Sequence, residues 1–361
     1  MKIGVYTFSN AVDNYGQVLQ YLATYEYLKE RKHDVFLLRL KSSVIKPVII
    51  KVYGFFRGLL KQNEESVFWK KQLSISYNNE KQHPRYFEKF RKTNFAFFYG
   101  KPSSIYKAGF DVLVAGSDQI WSGLSTNSFL SYPNYKGKKI SLASSTGSVN
   151  FNEAQINTLS RYLKSFSFVT TREESGVEMC KKAGYTNATC VLDPSFLITK
   201  SVYESYSSEF KDKGRNYILL YMLGSEVEVS IADIFEFAKK NNLDVKYVAS
   251  QGRIDNFEKI YPTIPEWLAL IRDASYVITN SFHGVAFSII YERPFLSLPL
   301  IGLLPRLNER LFSLLYKFGL EDRIYSDTLD LLFHPIDFCK AQSVIKKNID
   351  TVNELMKKNN I

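Results

Sequence analysis

The stretch Ser275-Tyr-Val-Ile-Thr-Asn-Ser-Phe-His-Gly-Val-Ala-Phe-Ser-Ile-Ile290 decides how this chain is read. Tyr276, Val277 and Ile278 make an apolar run of the length expected for a short buried strand. The run stops at Thr279-Asn280-Ser281, and Gly284 is expected to open a helix. Open α/β sheets bind ligands beyond the carboxyl ends of their strands, where helix N-termini favour anions. His283 occupies that position among small polar neighbours, and Gly284 permits close backbone approach. The chain has 4 histidines, and this one stands where a titratable side chain is a candidate acid or base. A buried histidine bonded to a backbone carbonyl fits the same residues, so the stretch alone leaves both readings open.

The pattern continues on either side. Around the stretch, strands are predicted at 217–223, 244–249, 276–279 and 295–299, with helices at 231–240, 265–273 and 284–291. Nearer the N-terminus, strand 2–8, loop 9–16, helix 17–32 and strand 34–40 read as a βαβ unit, which implies a parallel sheet. Residues 111–116 are a near-continuous apolar run of the kind that parallel sheets bury on both faces. Further short strands are expected at 139–143, 166–170 and 189–192. A chain of 361 residues exceeds the size at which single cores stop growing. The expectation is an α/β protein with two doubly wound domains facing across a cleft. We place an N-terminal domain at 1–198 with a less regular insertion of one or two helices at about 42–98, a second at 199–325, and a helical tail at 326–361.

Composition narrows the chemistry. Cys180, Cys190 and Cys339 have no CxxC pairing and no histidine at ligand spacing, which argues against a disulfide framework and a zinc site. The N-terminus reads as a strand and lacks a long apolar segment before a cleavage site, so a cytoplasmic protein is expected. The formal charge is +11, and residues 29–107 hold 18 Lys/Arg against 6 Asp/Glu. A nucleic acid, a membrane surface or an anionic substrate would each suit that excess. The chain shows no nucleic-acid module signature, so nucleic acid is not expected as a partner. Residues 44–61 are too short and too often charged to span a bilayer. They fit an amphipathic segment packed on the sheet, or one lying on an anionic membrane surface.

Four other places can carry chemistry. The loop Asp13-Asn-Tyr-Gly-Gln17 ends at a helix N-terminus whose free amides suit an anion, although ordinary capping by Asn14 or Asp13 explains it equally. Gly116-Ser117-Asp118 emerges from a strand end, where Asp118 can orient or deprotonate a hydroxyl, or cap a helix. Arg172, in Thr170-Thr-Arg-Glu-Glu-Ser175, is either a strand-end anion clamp or half of a surface salt bridge with Glu173 or Glu174. Arg306 and Arg310 are four apart and share a helical face, an arrangement that suits carboxylate or phosphate but also a solvated basic face.

Taken in order, seven segments resemble the polysaccharide pyruvyl transferases. They are Asn14-Tyr15-Gly16 with Gln20, Ala115-Gly-Ser-Asp-Gln-Ile-Trp121, Ser141-Leu-Ala-Ser-Ser-Thr-Gly147, Thr171-Arg-Glu-Glu-Ser175, Leu192-Asp-Pro194, Thr279-Asn-Ser-Phe-His-Gly284 and Asn308-x-Arg310 with Gly319-Leu-Glu-Asp322. The resemblance spans about residues 1–325 and implies a fold similar to the GT-B glycosyltransferases, two Rossmann-like domains with the active site between them. It implies transfer of the enolpyruvyl group of phosphoenolpyruvate (PEP) to two hydroxyls of a sugar in a surface-polysaccharide precursor, soluble or lipid-linked, with loss of phosphate. PEP is then a co-substrate, and neither a metal nor another cofactor is expected.

On this resemblance His283 and Asp118 are the catalytic pair, while Arg172, Asn280, Ser281, Gly284, Arg306 and Arg310 hold PEP. Asn14, Tyr15, Gly16, Gln17 and Ser117 face the acceptor. Many relatives have arginine two residues before the histidine, where this chain has Ser281, so Arg306, Arg310 or Arg293 is expected to replace that charge. The competing expectations are a nucleotide-sugar glycosyltransferase of the same fold and a catalytically inactive glycan-binding relative. A lipid-linked acceptor would place the protein at the inner face of the cytoplasmic membrane.

Overall fold

The computed structural model describes residues 1–8, 10–41, 64–147, 151–211, 216–224, 228–250, 253, 255–301 and 308–361. The expected interfacial segment 44–61 and the candidate Arg306 therefore lie outside the described residues. The first sheet contains β1 (Lys2–Tyr6), β2 (Asp34–Leu40), β3 (Phe97–Gly100), β4 (Val112–Ala115), β5 (Lys138–Ser144), β6 (Phe168–Thr171) and β7 (Thr189–Cys190). All its pairings are parallel, in the order β3-β2-β1-β4-β5-β6-β7. Chain reversal on either side of β1 makes the sheet doubly wound, with a switch point between β1 and β4. The second sheet contains β8 (Tyr217–Tyr221), β9 (Asp244–Val248), β10 (Tyr276–Thr279) and β11 (Phe295–Ser297), parallel in the order β11-β10-β8-β9. The protein is thus α/β and GT-B-like, two Rossmann-like units in one chain.

The strands follow from the apolar runs. Every residue of β4 and β8 is buried, as expected of parallel strands covered on both faces. The insertion has the helices expected of it and one strand more. It holds the helices Glu64–Gln82 and Phe87–Asn94, and it also supplies β3, which pairs with the edge of β2. Arg39 of β2 is fastened to Glu88 of the insertion at 2.6 and 2.8 Å.

The two units share a core rather than meeting only across open space. One apolar cluster includes Leu19 and Leu22 of the helix Tyr15–Glu30 together with Trp267, Val285 and Phe287 of the second unit. Tyr15 stacks on Trp267 with centroids 5.1 Å apart, and its hydroxyl donates to the Pro262 carbonyl at 2.6 Å. The last helix, Phe338–Lys358, returns across the join. There Asn348 Oδ1 accepts the Leu192 N–H at 2.7 Å, and Asn353 Oδ1 accepts the Tyr27 hydroxyl at 2.8 Å. Among the described residues no helix is long and apolar enough to cross a membrane.

Candidate active site

β10 delivers His283. Its helix starts at Phe282 rather than at Gly284, because Ser281 is the N-cap and its Oγ accepts the Gly284 N–H at 3.3 Å. Gly284 is needed for packing: a Cβ there would lie 2.4 Å from Thr279 Oγ1 at the end of β10. Asn280 spends both ends of its amide on Leu223, accepting its N–H at 2.6 Å and donating to its carbonyl at 2.9 Å. The groups of Asn280, Ser281 and Gly284 expected to hold a donor are therefore already engaged in shaping the turn.

The first unit meets His283 from three directions. At the start of the first helix, Asn14 caps through an Oδ1 that accepts the Gln17 N–H at 3.1 Å. Gly16 lies against the imidazole so closely that a Cβ on it would sit 1.9 Å from Nδ1. After β7, Asp193 is fully buried and lies 3.8 Å from His283 Nε2 through its Oδ2. After β6, Arg172 reaches the same Oδ2 through Nη1 at 3.0 Å, binds Glu173 through Nε at 2.9 Å, and covers the Phe282 ring at 4.4 Å.

Asp193 is the hub, and the sequence reading did not place it in the site. Its Oδ2 also accepts the Ser117 hydroxyl at 2.9 Å, while Oδ1 accepts from both the N–H and the hydroxyl of Ser195. The available signal was Leu192-Asp-Pro194 after a very short strand, a sequence that also reads as an ordinary turn. Glu173 was weighed only as a surface partner, yet its ion pair with Arg172 is buried on both sides.

Several other expectations are corrected. Ser117 is buried with its hydroxyl on Asp193, and Tyr15 is buried with its hydroxyl on Pro262, so neither presents a surface to an acceptor. Arg293 follows the C-terminal end of the histidine helix and donates to the Tyr291 carbonyl, so it does not supply the cation absent at 281. Asn308 grips the backbone of Leu300 with both ends of its amide. Arg310 does come to the site, with Nη1 3.9 Å from Asp118 Oδ1. Asp118 holds a left-handed φ of +68°, and its carbonyl accepts N–H groups from Ile120 and Ser145.

Burial dominates the electrostatics. It lowers the pKa of His283, against an opposing pull from Asp193 and with further lowering by Arg172. For Asp193, burial acts to raise the pKa, but the imidazole of His283 when protonated, the guanidinium of Arg172 and the bonds from Ser195 outweigh it and lower it. Arg172 is charged at any pH, so Asp193 stays ionised while desolvation keeps the imidazole neutral. Burial also works against the charge on Arg172, but Glu173, Asp193 and Asp118 override it and raise its pKa. Arg310 goes the other way, lowered by burial and then by Arg172. Among the described residues, His283 Nε2, Arg172 Nη2, Glu173 Oε2 and Arg310 Nε are buried atoms without a hydrogen-bond partner.

This arrangement can hold an anion between two guanidinium groups and move a proton at a buried imidazole. Among the described residues no three His, Cys, Asp or Glu side chains are grouped as metal ligands.

Known proteins give the chain its family. No curated protein sequence matches it significantly. Solved structures with related coordinates include a putative UDP-N-acetylglucosamine 2-epimerase from Listeria monocytogenes, 10% identical, with a TM-score of 0.48 over 98% of this chain and 88% of that one. UDP-GlcNAc 2-epimerase from Neisseria meningitidis is 10% identical, with a TM-score of 0.45 over 99% and 93%. The E. coli heptosyltransferase WaaC is 9% identical, with a TM-score of 0.35 over 82% and 88%. The profile of polysaccharide pyruvyl transferases matches residues 14–300, from the Asn14 cap of the first helix to just past the strand that follows the histidine helix, and the chain belongs to that family.

Proposed function

We propose that the protein transfers the pyruvyl group of PEP to two hydroxyls of a sugar in a polysaccharide precursor, giving a ketal and inorganic phosphate. The observation that carries this reading is the placement of His283. A neutral, buried imidazole from one domain meets Gly16 and Asp193 of the other, next to Arg172 and Arg310.

PEP brings a carboxylate and a phosphate. Arg310 is the cation best suited to them, because burial and Arg172 make its charge costly until an anion arrives. Arg172 is committed to Glu173 and Asp193 and offers Nη2. A histidine that starts neutral takes a proton before it gives one. His283 therefore accepts the proton of the first sugar hydroxyl as its oxygen bonds to C2 of PEP. The imidazolium passes that proton to the methylene carbon, making it a methyl group and leaving the histidine neutral again. The second hydroxyl loses its proton as it displaces phosphate, which leaves with that proton. Asp193 stabilises the imidazolium formed on the way, and Asp118, next to Arg310, orients the hydroxyls.

The test is incubation with PEP and a set of soluble and lipid-linked glycans. Phosphate release should accompany a mass gain of one pyruvyl group on the glycan, with no reaction when a nucleotide sugar replaces PEP. Absence of phosphate release with every glycan would sink the reading. His283→Ala should reduce turnover by about 10²-fold or more, and Arg310→Ala should act chiefly on the KM for PEP.

A further inference from the structure

The helix Asn308–Phe318 lays its apolar side, Leu311, Leu314, Leu315 and Phe318, into the core shared by the two units. Phe318 meets Phe196 of the segment after β7 with ring centroids 5.3 Å apart. Arg310 and Lys317 are seven residues apart, two helical turns, so they leave this helix along one stripe. Arg310 goes to Asp118. Lys317, half-buried in the last turn, goes to the two segments that carry the rest of the charged cluster.

Its Nζ donates to the Arg172 carbonyl at 2.9 Å, to Cys190 Sγ at 2.8 Å and to the Val191 carbonyl at 3.5 Å. Arg172 follows β6, Cys190 ends β7, and Asp193 stands three residues beyond Cys190. One ammonium therefore binds the helix of Arg310 to positions 126 to 145 residues away in the chain. Three donors and no acceptor suit an ammonium to that task. Arg172 is thus held at both ends, its guanidinium by Asp193 and Glu173 and its carbonyl by Lys317.

The cluster needs such a fastening. Burial lowers the pKa of Arg310, and the like charge of Arg172 lowers it further. The two guanidinium groups therefore work against the packing that brings them together. A tie between their backbones opposes that repulsion, and Lys317 starts on the helix of Arg310 and ends on the carbonyl of Arg172. A lysine in a last helical turn also complements the helix dipole. That role needs no partner in another segment, whereas Lys317 has contacts in two.

We propose that Lys317 is a positioning residue that acts through Arg172 and Arg310, setting their spacing and with it the affinity of the site for PEP. The assignment rests on the reading that these two arginines receive PEP, and it names the residue that holds them in register.

The test is calorimetric titration of full-length wild type, Lys317→Met and Lys317→Arg with PEP and, separately, with inorganic phosphate, each below its measured melting midpoint. Methionine keeps an unbranched apolar stem and deletes the ammonium, so the Kd for PEP should rise about tenfold. Arginine restores a charged donor and should recover most of that loss. Phosphate should show the same order of affinities. A lysine that served the fold alone would lower the melting midpoint and leave Kd unchanged. That result overturns the proposal, as does an arginine variant that binds no better than the methionine one. Should Lys317→Met not fold, Lys317→Gln, which keeps a neutral donor, takes its place under the same criteria. Anion binding that weakens as expected, with no phosphate release from PEP on any glycan, leaves the tie standing and defeats the transfer reading. An unchanged Kd with normal transfer does the reverse. Wild type that binds neither anion overturns the proposal, while phosphate release alone decides the transfer reading.

Discussion

His283 and Asp193 form a coupled pair whose behaviour with pH is fixed in direction. Burial is the largest influence on His283 and brings its pKa below the ordinary 6.5, while Asp193 pulls it upward. If the neutral imidazole is the base, the acid limb of kcat/KM for pyruvyl transfer lies below pH 6.5. Asp193→Asn removes the upward pull, so the limb should move to still lower pH. A limb that stays in place would detach Asp193 from the base. The same shift has a stability counterpart. The unfolded chain binds a proton near 6.5 that the folded chain resists, so stability falls as pH drops below that value. Asp193 acts lower, its contribution being present above 3.8 and lost as pH falls through the folded value. His283→Asn should abolish the upper window, seen by comparing urea midpoints of variant and wild type at about pH 7.5 and 5.5. The histidine was legible because a strand, a polar stop and a glycine precede and follow it. The aspartate was not, because nothing local in Leu192-Asp-Pro194 shows that three other segments converge on its carboxylate.

At the level of elements, the site is made where two helix starts meet. Apolar runs and helical spacing revealed nearly all of the parallel strands and the first helix, because buried strands leave a strong local pattern. The strand β3 was missed, since Phe97–Gly100 is short, sits at an edge and follows two helices of the insertion. What pattern reading cannot show is which helix start touches which. Gly16 was expected to face an acceptor; it lies in the first turn of a helix, where its lack of a side chain admits the imidazole. Alanine is favoured over glycine within a helix by about 1 kcal/mol, so Gly16→Ala would be harmless or stabilising if the helix stood alone. Here the added methyl group must displace the His283 ring. The expected result is a turnover loss approaching that of His283→Ala with little change in thermal midpoint, read by phosphate release and a melting curve. Full activity in Gly16→Ala would show that the ring has freedom that the packing denies. Ser281 belongs to the same scale. Where the resemblance led an arginine to be expected, this chain has a helix cap, and the guanidinium of Arg310, from another element, stands beside Asp118.

Over the whole molecule, the two units are joined by a core that runs under the site. Tyr15 lies at its centre, stacked on Trp267 and edge-on to Tyr221 and Phe87, with its hydroxyl on Pro262 of the second unit. The next residue is Gly16, so the seam that holds the domains together is one residue from the contact that seats His283. Domain approach and active-site geometry are then a single mechanical property. Tyr15→Phe keeps the ring and its stacking but leaves the buried Pro262 carbonyl without its donor. An unsatisfied buried acceptor costs about 1–3 kcal/mol, which should appear as a lower urea midpoint. Because the lost bond spans the seam, kcat should fall as well, with the KM for PEP less affected than kcat, since Arg310 and Arg172 are untouched. A variant that is less stable but turns over normally would show that the seam supports the fold without setting the position of the histidine.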